Sequence, residues 1–293
     1  MRKHKEQAIK RLTASALKRW PLPKPSPHGD KEDRGAVLVV GGSEEIPGAA
    51  IFAGLAALRA GAGKLAVAVP QGVAQAVAIA LPEARVLPLP GRASLNAGLE
   101  QVIDRSCAIL IGPGMQNETR TLHLAHRILD RAREQALILD ALALGAVRDR
   151  DPHPWLLATP HAGEMAHLTG QAKEAICTDP VAYACAAAEL WQATILLKGS
   201  TSIIAAPSSQ QASAQTWRFK GSEIGLATSG SGDVQAGLAL GLAARGMPAL
   251  AVAAWTTWIH AACGKALSEV HGGMGYLARE LLDVIPGVLN RRV

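Results

Sequence analysis

The sequence is nearly without aromatic residues: Phe, Trp and Tyr together make up 3% of its 293 positions. A surface that stacks single-stranded bases needs several of them, which argues against that class of partner. There is no Gly-x-x-x-x-Gly-Lys-Ser/Thr, so this is not a P-loop protein. The four cysteines, Cys107, Cys177, Cys185 and Cys263, form no Cys-x-x-Cys pair and no metal-ligand spacing. Buried free thiols in a reducing, cytoplasmic setting are the expectation. Long apolar runs are missing too. The nearest, Gly246 to Gly264, contains Pro248, Thr256, Thr257 and His260 and is marginal against the roughly 20 apolar residues of a membrane span. A buried helix is expected there, and no membrane association. No apolar stretch follows the basic N-terminus, so a secretory signal is not expected.

The body of the chain also lacks an excess of either charge. The formal net charge is +6, from 30 Lys/Arg against 24 Asp/Glu. Seven of the basic residues and a single acid, Glu6, fall within residues 1–20, so the remainder is balanced. No nucleic-acid partner is expected of a neutral body. In the tail, Ile9, Leu12, Ala16 and Trp20 recur at helical spacing, which predicts a short amphipathic docking or solubilising helix. Pro21, Pro23, Pro25 and Pro27 then make an extended connector.

What is abundant is small apolar residue. At 49% hydrophobic, the core must be built from Ala, Leu, Val and Ile, which lets helices and strands approach closely. Continuous β-branched runs read as buried parallel strands at 36–40, 65–69, 85–87, 107–111, 137–140, 155–158 and 194–198. Between them lie helical stretches at 49–60, 71–80, 95–104, 118–133 and 180–191. A hairpin is expected at 202–218, followed by three helices starting near Ser231, Pro248 and Tyr276. This alternation predicts an α/β fold: a three-layer α/β/α, doubly wound, mostly parallel sheet with no separate lid domain. Gly41-Gly42, Gly112-Pro-Gly114, Asp140, His161, Glu164 and Lys198 all fall at or just past strand C-terminal ends. In such a sheet those ends share one edge, where ligands bind.

The densest signal is Gly225-Leu-Ala-Thr-Ser-Gly-Ser-Gly-Asp233, a glycine-rich turn that opens a helix. Such a turn leaves backbone N–H groups unpaired at the positive end of a helix dipole, where a phosphoryl group fits. Gly230, Ser231 and Gly232 are the expected anion hole. Asp233 would be repelled by phosphate, so it reads either as a base for a hydroxyl proton or as an ordinary capping acid. Lys198 reads as a phosphate partner or as a lysine snorkelling to solvent. Glu164 reads as a holder of Mg²⁺ through water or as a helix cap, and His161 as a hydrogen-bonding group toward a ligand or a structural one. His123 and His126 have no third ligand candidate and read as surface.

Seven segments in order carry a resemblance: Gly35-Ala-Val-Leu-Val-Val-Gly-Gly-Ser43, Pro47-Gly-Ala-Ala50, Arg59-Ala-Gly-Ala-Gly63, Ile111-Gly-Pro-Gly114, Thr159-Pro-His-Ala-Gly-Glu-Met165, Leu197-Lys-Gly199 and Ala227-Thr-Ser-Gly-Ser-Gly-Asp233. The chain resembles the ADP/ATP-dependent NAD(P)H-hydrate dehydratases of the ribokinase-like superfamily over about residues 28–290. The expected division is thus 1–27, basic helix and Pro-rich connector, and 28–293, the ribokinase-like domain. The epimerase domain that some members carry in front is not expected.

The resemblance implies repair of hydrated NADH and NADPH: ADP or ATP, with Mg²⁺, phosphorylates the ring hydroxyl, and phosphate then leaves. By position it implies that Ala49, Gly114, His161 and Asp233 contact the hydrated dinucleotide, with Asp233 the catalytic base. Lys198, Gly199, Ser200, Thr201, Ser202 and Gly232 would bind the adenine nucleotide. It also implies a homo-oligomer. The chain departs from the family pattern at Ile46, Leu142 and Glu223. Two alternatives share the same turn: a small-alcohol kinase resembling hydroxyethylthiazole kinase, which retains a phosphorylated product, and a nucleotide-binding paralogue without turnover.

Overall fold

The computed structural model describes residues 9–24, 30–89, 95–210 and 215–290. Among the described residues ten strands form one sheet: β1 (Lys10–Arg11), β2 (Ala36–Val40), β3 (Lys64–Pro70), β4 (Ala84–Leu89), β5 (Ala108–Ile111), β6 (Ala136–Leu139), β7 (Leu156–Ala158), β8 (Thr194–Leu197), β9 (Thr201–Ala206) and β10 (Gln215–Lys220). Their order is β1-β10-β9-β8-β7-β6-β5-β2-β3-β4. Every pairing is parallel except those of β9 with β8 and β10. Strands β2, β5, β6 and β8 are buried on both faces, which is why each reads as an unbroken apolar run rather than an alternation.

Eleven α-helices cover the sheet among the described residues: α1 (Ala14–Leu17), α2 (Gly48–Arg59), α3 (Ala74–Ala80), α4 (Ala97–Arg105), α5 (Glu118–Arg131), α6 (Ala162–Thr169), α7 (Lys173–Thr178), α8 (Pro180–Trp191), α9 (Ser231–Ala244), α10 (Ala249–His271) and α11 (Ala278–Asn290). One face carries the core built by α2, α9, α10 and α11, the other that of α4, α5, α6 and α8. The layered, mostly parallel expectation holds. Helix α10 is largely buried, and no helix among the described residues is long and apolar enough to cross a membrane.

The tail differs from expectation. In place of one amphipathic helix over Ile9 to Trp20, Lys10–Arg11 is a strand paired with Trp217 and Arg218, and only Ala14–Leu17 is helical. Thr13 caps that turn through its hydroxyl. Leu12 and Leu17 enter the core, Trp20 packs edge-on against Trp217, and the Trp20 carbonyl accepts from Trp255 Nε1 at 2.6 Å. An open sheet edge competes for the backbone of a short segment more strongly than its helical periodicity does. The cysteines differ as well: all four are free, but only Cys263 is fully buried, whereas Cys107 and Cys177 are exposed.

Two helices from opposite ends of the chain set the site's geometry. A Cβ on Gly237 would overlap the carbonyl of Ala53, and one on Gly241 that of Ala57. The matched increments show that α2 and α9 run parallel in backbone contact, a distance only glycine permits. Their N-termini therefore lie side by side. Gly230, at φ +87°, abuts the Phe52 ring and Ala278.

Candidate active site

The N-terminus of α9 presents a glycine turn without a side-chain cap. Gly230 is its N-cap, in the left-handed region, and supplies no side-chain cap. The Ser231 amide donates to the Thr228 carbonyl at 3.2 Å and the Val234 amide to that of Gly230 at 3.1 Å. Among the described residues no acceptor takes the N–H groups of Gly230, Gly232 or Asp233. The free amides are thus those three rather than the set Gly230, Ser231 and Gly232. Ser231 is turned inward, 3% exposed, with its own amide closing the turn.

Three consecutive strand ends supply two charges and a hydroxyl on its near side. Asp140 follows β6, Thr159 follows β7 and Lys198 follows β8. One oxygen, Asp140 Oδ1, accepts from Lys198 Nζ at 2.8 Å and from Thr159 Oγ1 at 2.7 Å. Asp140 is 4% exposed and so requires both partners. A Cβ placed on Gly232 would stand 3.9 Å from Lys198 Nζ, so the ammonium sits over the first turn of α9. Burial opposes the charge on Lys198, but Asp140, Glu164 and Asp233 together hold its pKa above the usual lysine value. Asp233 lies on the other side of this balance. Burial first, then the charge of Asp140, pushes its carboxyl up to about 6, against the pull of Lys198. Desolvation and a specific charge partner thus act together on Asp233 beside the glycine turn.

His161 is the N-cap of α6 and pairs in a parallel bridge with Lys198. Its Nδ1 accepts from the amides of Gly163 and Glu164 at 3.0 and 3.1 Å. In the neutral ring the proton is therefore on Nε2, as a donor on a largely exposed side chain. Glu164 completes the capping box, Oε2 accepting from the His161 amide at 2.7 Å. Of the two readings of Glu164 the structure shows the cap; its other oxygen, Oε1, lies 3.7 Å from His161 Nε2.

The loop after Lys198 turns through exposed Gly199 and Ser200 into β9. Thr201 is half-buried, and Ser202, 6% exposed, bonds back to the Gly199 carbonyl at 3.4 Å. Gly114 at φ +70° lies against Ala49, the Ile46 carbonyl and Gly42. The Gly42 amide donates to the Pro113 carbonyl at 2.6 Å. Gly114 and Ala49 are thereby brought together at the start of α2, beside α9.

Sequence reading picked out Asp140 as a strand-end acid but not its bond to Lys198, two strands away. The signal available was three polar residues, Asp140, Thr159 and Lys198, at the ends of successive apolar strands.

This layered sheet, with a glycine turn facing a lysine and a carboxylate, has a ribokinase-like α/β fold. A ribokinase-like superfamily structure from Enterococcus faecalis superposes with a TM-score of 0.83 over 99% of both chains at 21% identity, a likeness of fold alone. A family model described as NAD(P)H-hydrate dehydratase matches residues 37–287. The ADP-dependent (S)-NAD(P)H-hydrate dehydratase of Xanthomonas campestris is 45% identical over 290 residues, 97% of each chain. The Bacillus subtilis ADP/ATP-dependent NAD(P)H-hydrate dehydratase co-crystallised with ATP/Mg²⁺ is 29% identical, with a TM-score of 0.82 over 97% of this chain and 99% of that one. The chain belongs to the NAD(P)H-hydrate dehydratase family.

Proposed function

We propose that this protein is an ADP/ATP-dependent NAD(P)H-hydrate dehydratase, a lyase that restores hydrated NADH and NADPH. Support comes from 45% identity over 97% of the chain to an ADP-dependent (S)-NAD(P)H-hydrate dehydratase and from the site's arrangement of amides, lysine and carboxylate. The hydrated nicotinamide ring presents its hydroxyl to Asp233, which takes the proton as the oxygen attacks the terminal phosphoryl group of ADP or ATP. The amides of Gly230, Gly232 and Asp233, with the ammonium of Lys198, hold the charge that develops on the transferring group. Phosphate then leaves with the C–O electron pair while the neighbouring ring carbon loses a proton, and the ring double bond is restored.

In this reading Ala49, Gly114 and the Nε2–H of His161 position the dinucleotide. The loop Gly199-Ser200-Thr201 takes the nucleotide donor, and Ser202 shapes that loop. Among the described residues no three His, Cys, Asp or Glu side chains gather as a metal site. Glu164 Oε1, which lies 3.7 Å from His161 Nε2, would in this reading meet, through water, a Mg²⁺ carried on the nucleotide phosphates. When bound, Mg²⁺ supplies charge neutralisation between the phosphates. The protein acts in the cytoplasm in this reading, and as a homo-oligomer, for which exposed Val270 near the end of α10 and Met274 and Leu277 in the segment before α11 offer apolar surface.

The observation that carries the proposal is the approach of Lys198 Nζ to Gly232 beside an Asp233 poised near pH 6. Incubating the protein with hydrated NADH, ADP or ATP and Mg²⁺ tests it. Recovery of reduced-nicotinamide absorbance with release of phosphate is expected. A phosphorylated alcohol that persists would indicate a kinase instead, and nucleotide binding without turnover a paralogue that has lost catalysis.

A further inference from the structure

His260 is a buried titratable side chain that the chemistry above does not use. It lies on α10, 9% exposed, behind the first turn of α9. Its Nε2 stands 3.1 Å from the Ser231 carbonyl and 3.0 Å from Ser231 Oγ. A carbonyl oxygen only accepts, so Nε2 must carry the proton; an unprotonated Nε2 would face that oxygen lone pair to lone pair. The ring is kept neutral as well: burial, together with the charge of Lys198, pushes its pKa down to about 4.

The same face of α10 meets the turn again one helical turn further on. A Cβ on Gly264 would strike the Leu226 side chain at 2.7 Å, so the absence of a side chain there lets the 224–226 segment seat. Residues i and i+4 of one helix thus fix the glycine-rich segment at both ends. A turn made of Thr228, Ser229, Gly230, Ser231 and Gly232 has little steric preference of its own. Something outside it must set where its amides point.

We infer that His260 is a positioning residue for phosphoryl transfer: its Nε2–H holds the Ser231 carbonyl and thereby aims the Gly232 and Asp233 amides at the migrating group. His260 touches neither substrate nor nucleotide. It acts through Ser231, and its effect falls on the transition state, where amide direction matters most, rather than on ground-state binding.

This inference rests on the dehydratase reading, and the experiment separates the two. Wild type, His260→Phe and His260→Gln are compared for kcat, nucleotide KM and melting temperature with hydrated NADH, ATP and Mg²⁺. Phe keeps a ring without the donor; Gln restores an N–H near the position of Nε2. His260→Phe is expected to lower kcat on the order of 10-fold to 100-fold with KM changed less than about threefold, and His260→Gln to recover most of that loss. Wild-type turnover by His260→Phe, a loss confined to KM, or a kcat that Gln does not restore in a folded variant would overturn the inference. Absence of turnover in the wild type would instead overturn the dehydratase reading. If neither His260 variant folds, His260→Asn decides: it places its N–H near the position of Nδ1 rather than of Nε2, so a kcat loss of about tenfold or more with little change in KM is expected, and wild-type kcat would overturn the inference.

Discussion

Replacing Asp233 by Asn is expected to make the protein more stable and nearly inactive at once. In the folded chain the carboxyl titrates at about 6, against 3.8 unperturbed. At 1.36 kcal/mol per tenfold change in proton affinity, carrying that charge above pH 6 costs about 3 kcal/mol; partial access to water makes about 2 the safer figure. The direction follows from proton counting. Between pH 4 and 6 the folded state holds a proton that the unfolded state has released, so stability falls as pH rises through that window. Asn removes the charge without changing the shape. At pH 8 the variant should melt roughly 4 to 6 °C above wild type, and at pH 4 the two should nearly coincide. Turnover should fall on the order of 10² or more, while ADP or ATP still binds by calorimetry. In the wild type, activity should rise with pH through about 6 as the base is deprotonated. A variant no more stable than wild type at pH 8, or a gap that does not change between pH 4 and 8, would refute the account of a strained, poised carboxylate. Undiminished turnover would refute its role.

Lys198→Met leaves Asp140 buried without its cation, so a loss of about 3 kcal/mol or more is expected in denaturant titration, together with weaker nucleotide binding by calorimetry. Because Lys198 holds the Asp233 pKa down, any residual activity should rise at higher pH than in wild type, as the pH–rate profile will show. His161→Ala deletes an acceptor of two helix-end amides and should lower stability by about 1 kcal/mol while raising KM for the hydrated dinucleotide. Gly112 sits at φ +123° with the Asp140 carbonyl where a side chain would be; Gly112→Ala should therefore displace Asp140 and reduce kcat more than tenfold, even in the fraction that purifies folded.

Most of the sheet was legible because parallel strands buried on both faces must be continuously apolar, and glycines end them. The strand-end rule then gathered His161, Glu164, Lys198 and Asp233 into one edge without any measured distance. What stayed hidden depends on contacts between distant segments. Lys10–Arg11 carries no strand signal of its own; the free edge of β10 confers it. The shared oxygen of Asp140 joins residues 58 positions apart, and no local pattern marks it. Ser231 looked like a third anion-binding amide because its neighbours are glycines, yet the tight turn to Thr228 consumes it. His260 was noticed only as a polar interruption of an apolar helix, which says that a partner exists but not which.

The glycine contacts between α2 and α9 bear on how the molecule comes into being. Ala53 leaves the ribosome well before Gly237, which lies against it in the folded protein. Everything between must already be folded or held aside before that seam can close. Catalytic competence should therefore be acquired in the last step of maturation, after the bulk of the sheet is in place, and a nascent chain stalled before residue 245 should contain native-like strands but no enzyme.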